Sequence, residues 1–78
     1  MPREWTVKSP ADLGRAVAEI RTRRGLTQKE LAAQAALSRT YLSHIESGRS
    51  SRLIEHALRT LRRLGATVTI SIPDDGEA

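Results

Sequence analysis

The sequence predicts a mostly α fold, four helices followed by one C-terminal β-strand. Three observations carry that expectation. Capping residues recur just ahead of short amphipathic runs, glycines stand where those runs stop, and after Gly65 the hydrophobic period changes from about 3.6 residues to about 2.

The first helix opens at Ser9-Pro10-Ala11-Asp12, where Ser9 caps, Pro10 takes the first helical position and Asp12 sits near the positive end of the helix. Leu13, Ala16, Val17 and Ile20 recur on one face, and Gly25 supplies a stop. Thr27-Gln28-Lys29-Glu30 has the form of a capping box, with the Thr27 hydroxyl on the Glu30 amide and the Glu30 carboxylate reaching back to the Thr27 amide. This short second helix is expected to bury Leu31, Ala32 and Ala35. Ser38 caps a third helix that turns Leu42 and Ile45 inward before Gly48, and Arg49-Ser50-Ser51-Arg52 forms the next connection. In the fourth helix Ile54, Ala57, Leu58, Leu61 and Leu64 form one stripe, expected to be covered by the apolar face of the paired strands, with Gly65 just beyond.

From Thr67 to Ile72, polar residues alternate with Val68, Ile70 and Ile72, which reads as a strand. A lone strand leaves its backbone donors and acceptors unpaired. Its expected partner is the same strand of a second copy, with Val68, Ile70 and Ile72 as the dimerisation face, and Trp5-Thr6-Val7 is the weaker candidate for pairing within the chain. The implied organisation is an N-terminal arm over 1–8, a helical domain over 9–65, a dimerisation strand over 66–72 and an acidic tail over 73–78.

Composition narrows the function classes. A chain of 78 residues with no Cys and two separated histidines, His44 and His56, offers neither a disulfide framework nor a recognisable zinc site. A core this small gains from oligomerisation. No metal, cofactor or catalytic residue is expected, because there is no Cys, no plausible metal cluster, no Gly-rich phosphate loop and little room for a closed pocket. The net charge of +4 conceals an asymmetry: Asp74, Asp75 and Glu77 lie in the tail, and removing them from the nine acids leaves six against 13 basic residues. That balance favours a polyanionic partner. No segment reaches the length of a membrane span, and Met1 to Ser9 lacks the apolar stretch of a signal peptide, so a soluble cytoplasmic protein without a membrane partner is expected.

Two short helices joined by a tight turn in a basic background match the DNA-binding helix-turn-helix arrangement. The run Gly25-Leu26-Thr27-Gln28-Lys29-Glu30-Leu31-Ala32, followed by Leu37-Ser38-Arg39-Thr40-Tyr41-Leu42-Ser43-His44-Ile45-Glu46-Ser47-Gly48, resembles the lambda-repressor and Cro (XRE) family over roughly residues 12 to 65. The resemblance implies a lambda-repressor-like domain of four to five helices, in a nucleoid-associated repressor that binds double-stranded DNA. Ala36 stands where that family usually has Gly, and a positive φ there would cost Ala on the order of 1 kcal/mol. The Ser-Pro-x-x-Leu-Gly opening at Ser9 to Gly14, the Leu64-Gly65 close and the terminal strand resemble HipB-like antitoxins. That likeness implies a homodimer on an inverted-repeat operator and a HipA-like kinase toxin as partner, in a toxin-antitoxin module that represses its own operon.

In such an arrangement the third helix enters the major groove, and Arg39, Thr40, Ser43 and His44 form its outward, base-contacting face. Arg39 is the sharpest of these, because a cation at the first helical position opposes the helix dipole and is the side chain that reads guanine bidentately. Contact with phosphate is the alternative for Arg39, and Thr40 faces either a thymine methyl or a phosphate. Gln28 suits a phosphate oxygen at the start of the second helix, a role the family resemblance also implies. Thr27, Ser38, Tyr41, Ser47, Arg49 and Ser51 complete the expected backbone contacts, with capping alone the competing role for Thr27 and a solvated loop for Ser47, Arg49 and Ser51. Arg59, Arg62 and Arg63 read as a solvated face of the fourth helix, or as a toxin contact. Two alternatives to an autoregulating antitoxin stay open: an interaction module that mainly sequesters a toxin, and a stand-alone repressor of the phage or plasmid type.

Overall fold

Local capping chemistry sets where the helices begin. In the computed structural model, which describes residues 3–49 and 52–73, the chain runs β1 (Glu4–Val7), α1 (Pro10–Arg23), α2 (Gln28–Gln34), α3 (Arg39–Glu46), α4 (Arg52–Arg63) and β2 (Val68–Ser71). Ser51 and the acidic tail from Asp74 onward lie outside the described residues. The Ser9 hydroxyl accepts from the Asp12 amide at 3.2 Å, and the Asp12 carboxylate accepts from the Lys8 amide at 2.9 Å. At α2 both halves of the capping box are made, Glu30 N–H to Thr27 Oγ1 at 3.0 Å and Thr27 N–H to Glu30 Oε1 at 2.8 Å. Ser38 Oγ accepts from the Tyr41 amide at 3.0 Å. Each such cap is worth about 0.5–2 kcal/mol over alanine.

The core is small and lies where α1 crosses α3 beneath the sheet. Trp5, Val7, Ala16, Ala32, Leu42 and Leu58 are its buried hydrophobic residues. Leu13, Val17, Ile20, Leu31 and Ile45 are half-buried around them. Ala35, expected inside, is exposed, because it caps the C-terminus of α2, where the chain is already turning away.

The terminal strand finds a partner inside the chain. β1 and β2 pair antiparallel, with Trp5 opposite Ile70 and Val7 opposite Val68, and the Ile72 amide donates to the Arg3 carbonyl at 3.0 Å. The segment expected as an arm thus supplies a strand. The sheet is tied to α1 through Trp5, whose indole N–H donates to Glu19 Oε1 at 2.9 Å and whose ring lies 5.7 Å from the Arg23 guanidinium. Of the six-residue alternation expected here, Val68, Ile70 and Ile72 are half-buried while Thr67, Thr69 and Ser71 are exposed.

The stripe of α4 departs from expectation. Leu58 is buried and Ile54 half-buried, but Leu64 is 75% exposed, Leu61 36%, and Ala57 is open to solvent. A single small domain has too little apolar surface to cover so wide a stripe. α4 touches the other elements sparsely, while α1 packs closely on α3 and on β1.

That α1–α3 crossing depends on a missing side chain. A Cβ at Gly14 would stand 2.2 Å from the Ile45 carbonyl oxygen and 2.8 Å from that of Glu46, so backbone would have to move to admit one. Gly48 serves the same approach from the other side: its φ is +84°, and a Cβ there would meet the Ala11 backbone at 3.0 Å. Gly14→Ala should therefore destabilise the domain by about 1–3 kcal/mol or more, as overpacking does. Ala36 has a φ of 59°, the left-handed region that favours glycine. Relief of roughly 1–2 kcal/mol of strain, less about 0.4–1 kcal/mol of extra unfolded-state entropy, makes Ala36→Gly neutral to stabilising. Chemical denaturation of the two variants checks both signs.

Candidate nucleic-acid interface

α2 and α3 are joined through Ala35 to Ser38, and the turn is closed by the Leu37 amide, which donates to the Ala32 carbonyl at 2.8 Å. With Leu42 buried and Ile45 and Glu46 half-buried on the inner side of α3, the 3.6-residue period leaves Arg39, Thr40, Tyr41 and His44 exposed and Ser43 at the margin. A two-helix unit of this shape presents one short helix to solvent along its length.

Its orientation is fixed by one carboxylate. Glu46, in the last turn of α3, accepts from Arg21 Nε at 2.7 Å and Nη2 at 3.1 Å in a bidentate pair, and from Gln28 Nε2 at 3.0 Å. Arg21 also donates through Nη1 to the Leu26 carbonyl at 2.8 Å. Three helices and the α1–α2 connection thus meet at Glu46. The carboxylate is nearly buried, at 7% side-chain exposure. Burial pushes its pKa up, but the hydrogen bonds from Arg21 and Gln28 and the Arg21 charge outweigh this, and the net shift is downward.

Among the expected DNA-contacting residues, Gln28, Arg39, Thr40 and Ser43 come together, lining one shallow cleft of about 240 Å³ between the start of α2 and the start of α3. Arg39 makes no hydrogen bond or ion pair with the described residues, so none of its five donors is spent on them. Gln28 uses one amide hydrogen on Glu46 and keeps the other. Thr27 and Ser38 accept from backbone amides, which leaves each hydroxyl hydrogen to donate to a phosphate oxygen as well as to cap. Ser47 differs, because its hydroxyl already donates to the His44 carbonyl at 3.0 Å.

Tyr41, His44 and Arg49 fall on the other flank. They line a groove of about 420 Å³ with Leu13, Val17, Ile45 and Ile54, between α1, α3 and α4. The expected contact residues are therefore split by the ridge of α3 into a polar cleft toward α2 and a largely apolar groove toward α4.

Arg21 and Glu46 were not singled out from the sequence, though Glu46 carried a signal. An acid in the last turn of a helix opposes the dipole there, as Arg39 does at the other end, and needs a compensating partner. Periodicity cannot say which of 13 basic residues that partner is. Among the described residues no group of His, Asp and Glu could hold a metal ion, and no helix is long and apolar enough to cross a membrane.

Comparison with known proteins agrees with this geometry. The family model described as a helix-turn-helix domain matches residues 3–73. The chain is 32% identical over 69 residues, 88% of its own length and 91% of the relative's, to the uncharacterized HTH-type transcriptional regulator y4mF of Sinorhizobium fredii. No solved structure matches it.

The Glu46 junction makes a pH-dependent prediction. A carboxylate whose pKa is lowered on folding contributes stability that is present above its unfolded value, near 4.5, and is lost as pH falls through the lower folded value. Glu46→Gln should cost about 1.5–3 kcal/mol at neutral pH, the range for charge-assisted hydrogen bonds, and should flatten the stability profile below the unfolded value. Urea denaturation of both proteins from pH 7 to pH 3 measures each effect.

Proposed function

We propose, from the premise that this chain belongs to the helix-turn-helix domain family and is a DNA-binding transcription regulator, that it acts as a dimeric repressor reading an inverted-repeat operator with α3 in the major groove. The observation that carries the reading is the cleft at the start of α3, where Arg39, unpaired among the described residues, stands beside Thr40, Ser43 and the free donor of Gln28. Arg39, Thr40 and Ser43 read base edges, and His44, farther along the exposed face, reaches the edge of the site. Gln28, Thr27, Ser38, Tyr41 and Arg49 hold phosphates, as does Ser47 through an oxygen-bound water or its backbone, since its own hydroxyl hydrogen is engaged. The helical unit over 9–65 carries the DNA site. The second backbone edge of β2, opposite the one paired with β1, is available to the same strand of a second copy in the segment over 66–72.

The finer assignment is an antitoxin of a HipBA-like module that represses its own operon and holds a kinase-type toxin inactive. It is supported by the Ser9-to-Gly14 opening, the Leu64-Gly65 close and the terminal strand. Copurification with, and relief of growth arrest caused by, a kinase encoded beside the gene tests it. A neighbouring region without such a reading frame contradicts it.

Footprinting on the DNA upstream of the gene should show one protected site with two-fold symmetry and half-site centres about 34 Å apart or a multiple of that spacing. Arg39→Ala should cost roughly 1–3 kcal/mol and relax preference at one base pair in each half-site, whereas Gln28→Ala should weaken binding to every sequence alike. Because Gln28 also supports Glu46, its variant is compared at a temperature where circular dichroism shows both proteins folded. Equal loss of specific and non-specific affinity in Arg39→Ala would assign that side chain to phosphate.

A further inference from the structure

We infer that the open half of the α4 stripe is the seam of a homodimer, with two α4 helices crossing antiparallel at Ala57. This rests on the dimeric reading above and places its seam on α4 in place of the β2 edge.

At about 100° per residue, Leu53, Ala57, Leu61 and Leu64 fall within an arc of roughly 80° that runs about 16 Å along the helix. All four are exposed, Leu53 and Leu64 at 76% and 75%. Ile54 and Leu58, on the adjoining arc, are the side that faces the domain's own core. The apolar face of α4 is therefore twice as wide as one domain can cover, and monomeric proteins seldom leave such a contiguous patch in water.

Charge and symmetry identify what covers the open half. Arg52, Arg59 and Arg63 lie on the far side of α4, so the stripe offers nothing to an acidic partner. Leu53 and Leu61 stand four residues before and four after Ala57, and a two-fold axis through Ala57 sets Leu53 of one copy against Leu61 of the other. The alanine between them is what lets the helices approach. Axes about 8–10 Å apart, with Cα atoms about 2.3 Å from each axis, leave roughly 3.4–5.4 Å between the two Ala57 Cα atoms, a range whose upper half admits a disulfide. A second copy is thus the complement that the pattern itself encodes. The need is also visible in the core, which has few buried residues among the described ones and, with no Cys in the sequence, no disulfide to reinforce it.

The chain has no cysteine, so single introduced cysteines report the seam without background. In the full-length protein, Ala57→Cys should form an interchain disulfide nearly completely under mild oxidation at low micromolar concentration, because its Cα separation falls within the bridging range. Arg59→Cys, on the opposite face, should oxidise at least tenfold more slowly. Leu53→Cys mixed with Leu61→Cys should give the heterodimer in clear excess over either homodimer. Sedimentation of the unmodified chain is run alongside. A dimer in sedimentation whose Ala57→Cys variant crosslinks no faster than Arg59→Cys overturns the α4 seam while leaving the dimeric reading intact. A chain that sediments as a monomer at tens of micromolar overturns both.

Discussion

The Glu46 carboxylate is the constraint on which the rest of the DNA-binding unit depends. It binds Arg21 of α1 through two oxygens, takes the Gln28 amide of α2 and is itself part of α3, so the angle between α2 and α3 is set by one nearly buried charge. Hydrophobic contacts between such short helices are non-directional and allow sliding, whereas a bidentate guanidinium–carboxylate pair has a fixed geometry. Its value lies in position as much as in stability. Arg39, Thr40 and Ser43 reach a common cleft with Gln28 because α3 is held at that angle.

Around that junction, the packing is uneven. α1 and α3 approach closely enough to need glycine at Gly14, which makes the α1–α3 crossing a rigid platform for the exposed face of α3. α4 is attached lightly and presents leucines to solvent. A rigid α1–α3 platform combined with an incomplete core suits the dimeric repressor proposed above. Joining two half-site contacts in one dimer makes the second effectively intramolecular, which raises affinity by orders of magnitude without any new contact.

Much of this was legible in the sequence, for a local reason. Ser9, Thr27 and Ser38 cap helices through hydrogen bonds that reach only three residues along the chain, so the residues that make each boundary stand together in the sequence. The positive φ of Ala36 likewise follows from its place in a tight turn. What escaped is non-local. Arg21 and Glu46 are separated by 25 residues, and the pairing of Trp5 with Ile70 spans nearly the whole chain. β1 was the weaker candidate because Trp5-Thr6-Val7, three residues with one polar interruption, give a faint alternation, yet Trp5 and Val7 are buried while Val68 and Ile70 of β2 are only half-buried. The α4 stripe was legible as amphipathic, but periodicity reports that a face is apolar and not whether the chain or a second molecule covers it.

The most direct measurement is a titration of the 15N-labelled protein with duplex DNA from upstream of its gene, followed by backbone amide resonances. If the α2–α3 cleft is the reading surface, the largest shifts fall at Thr27 and Gln28 and from Ser38 to His44, while amides of β1, β2 and the outer arginine face of α4 change little. Shifts concentrated on Arg59, Arg62, Arg63 and the sheet, with Arg39 and Thr40 unmoved, would contradict it.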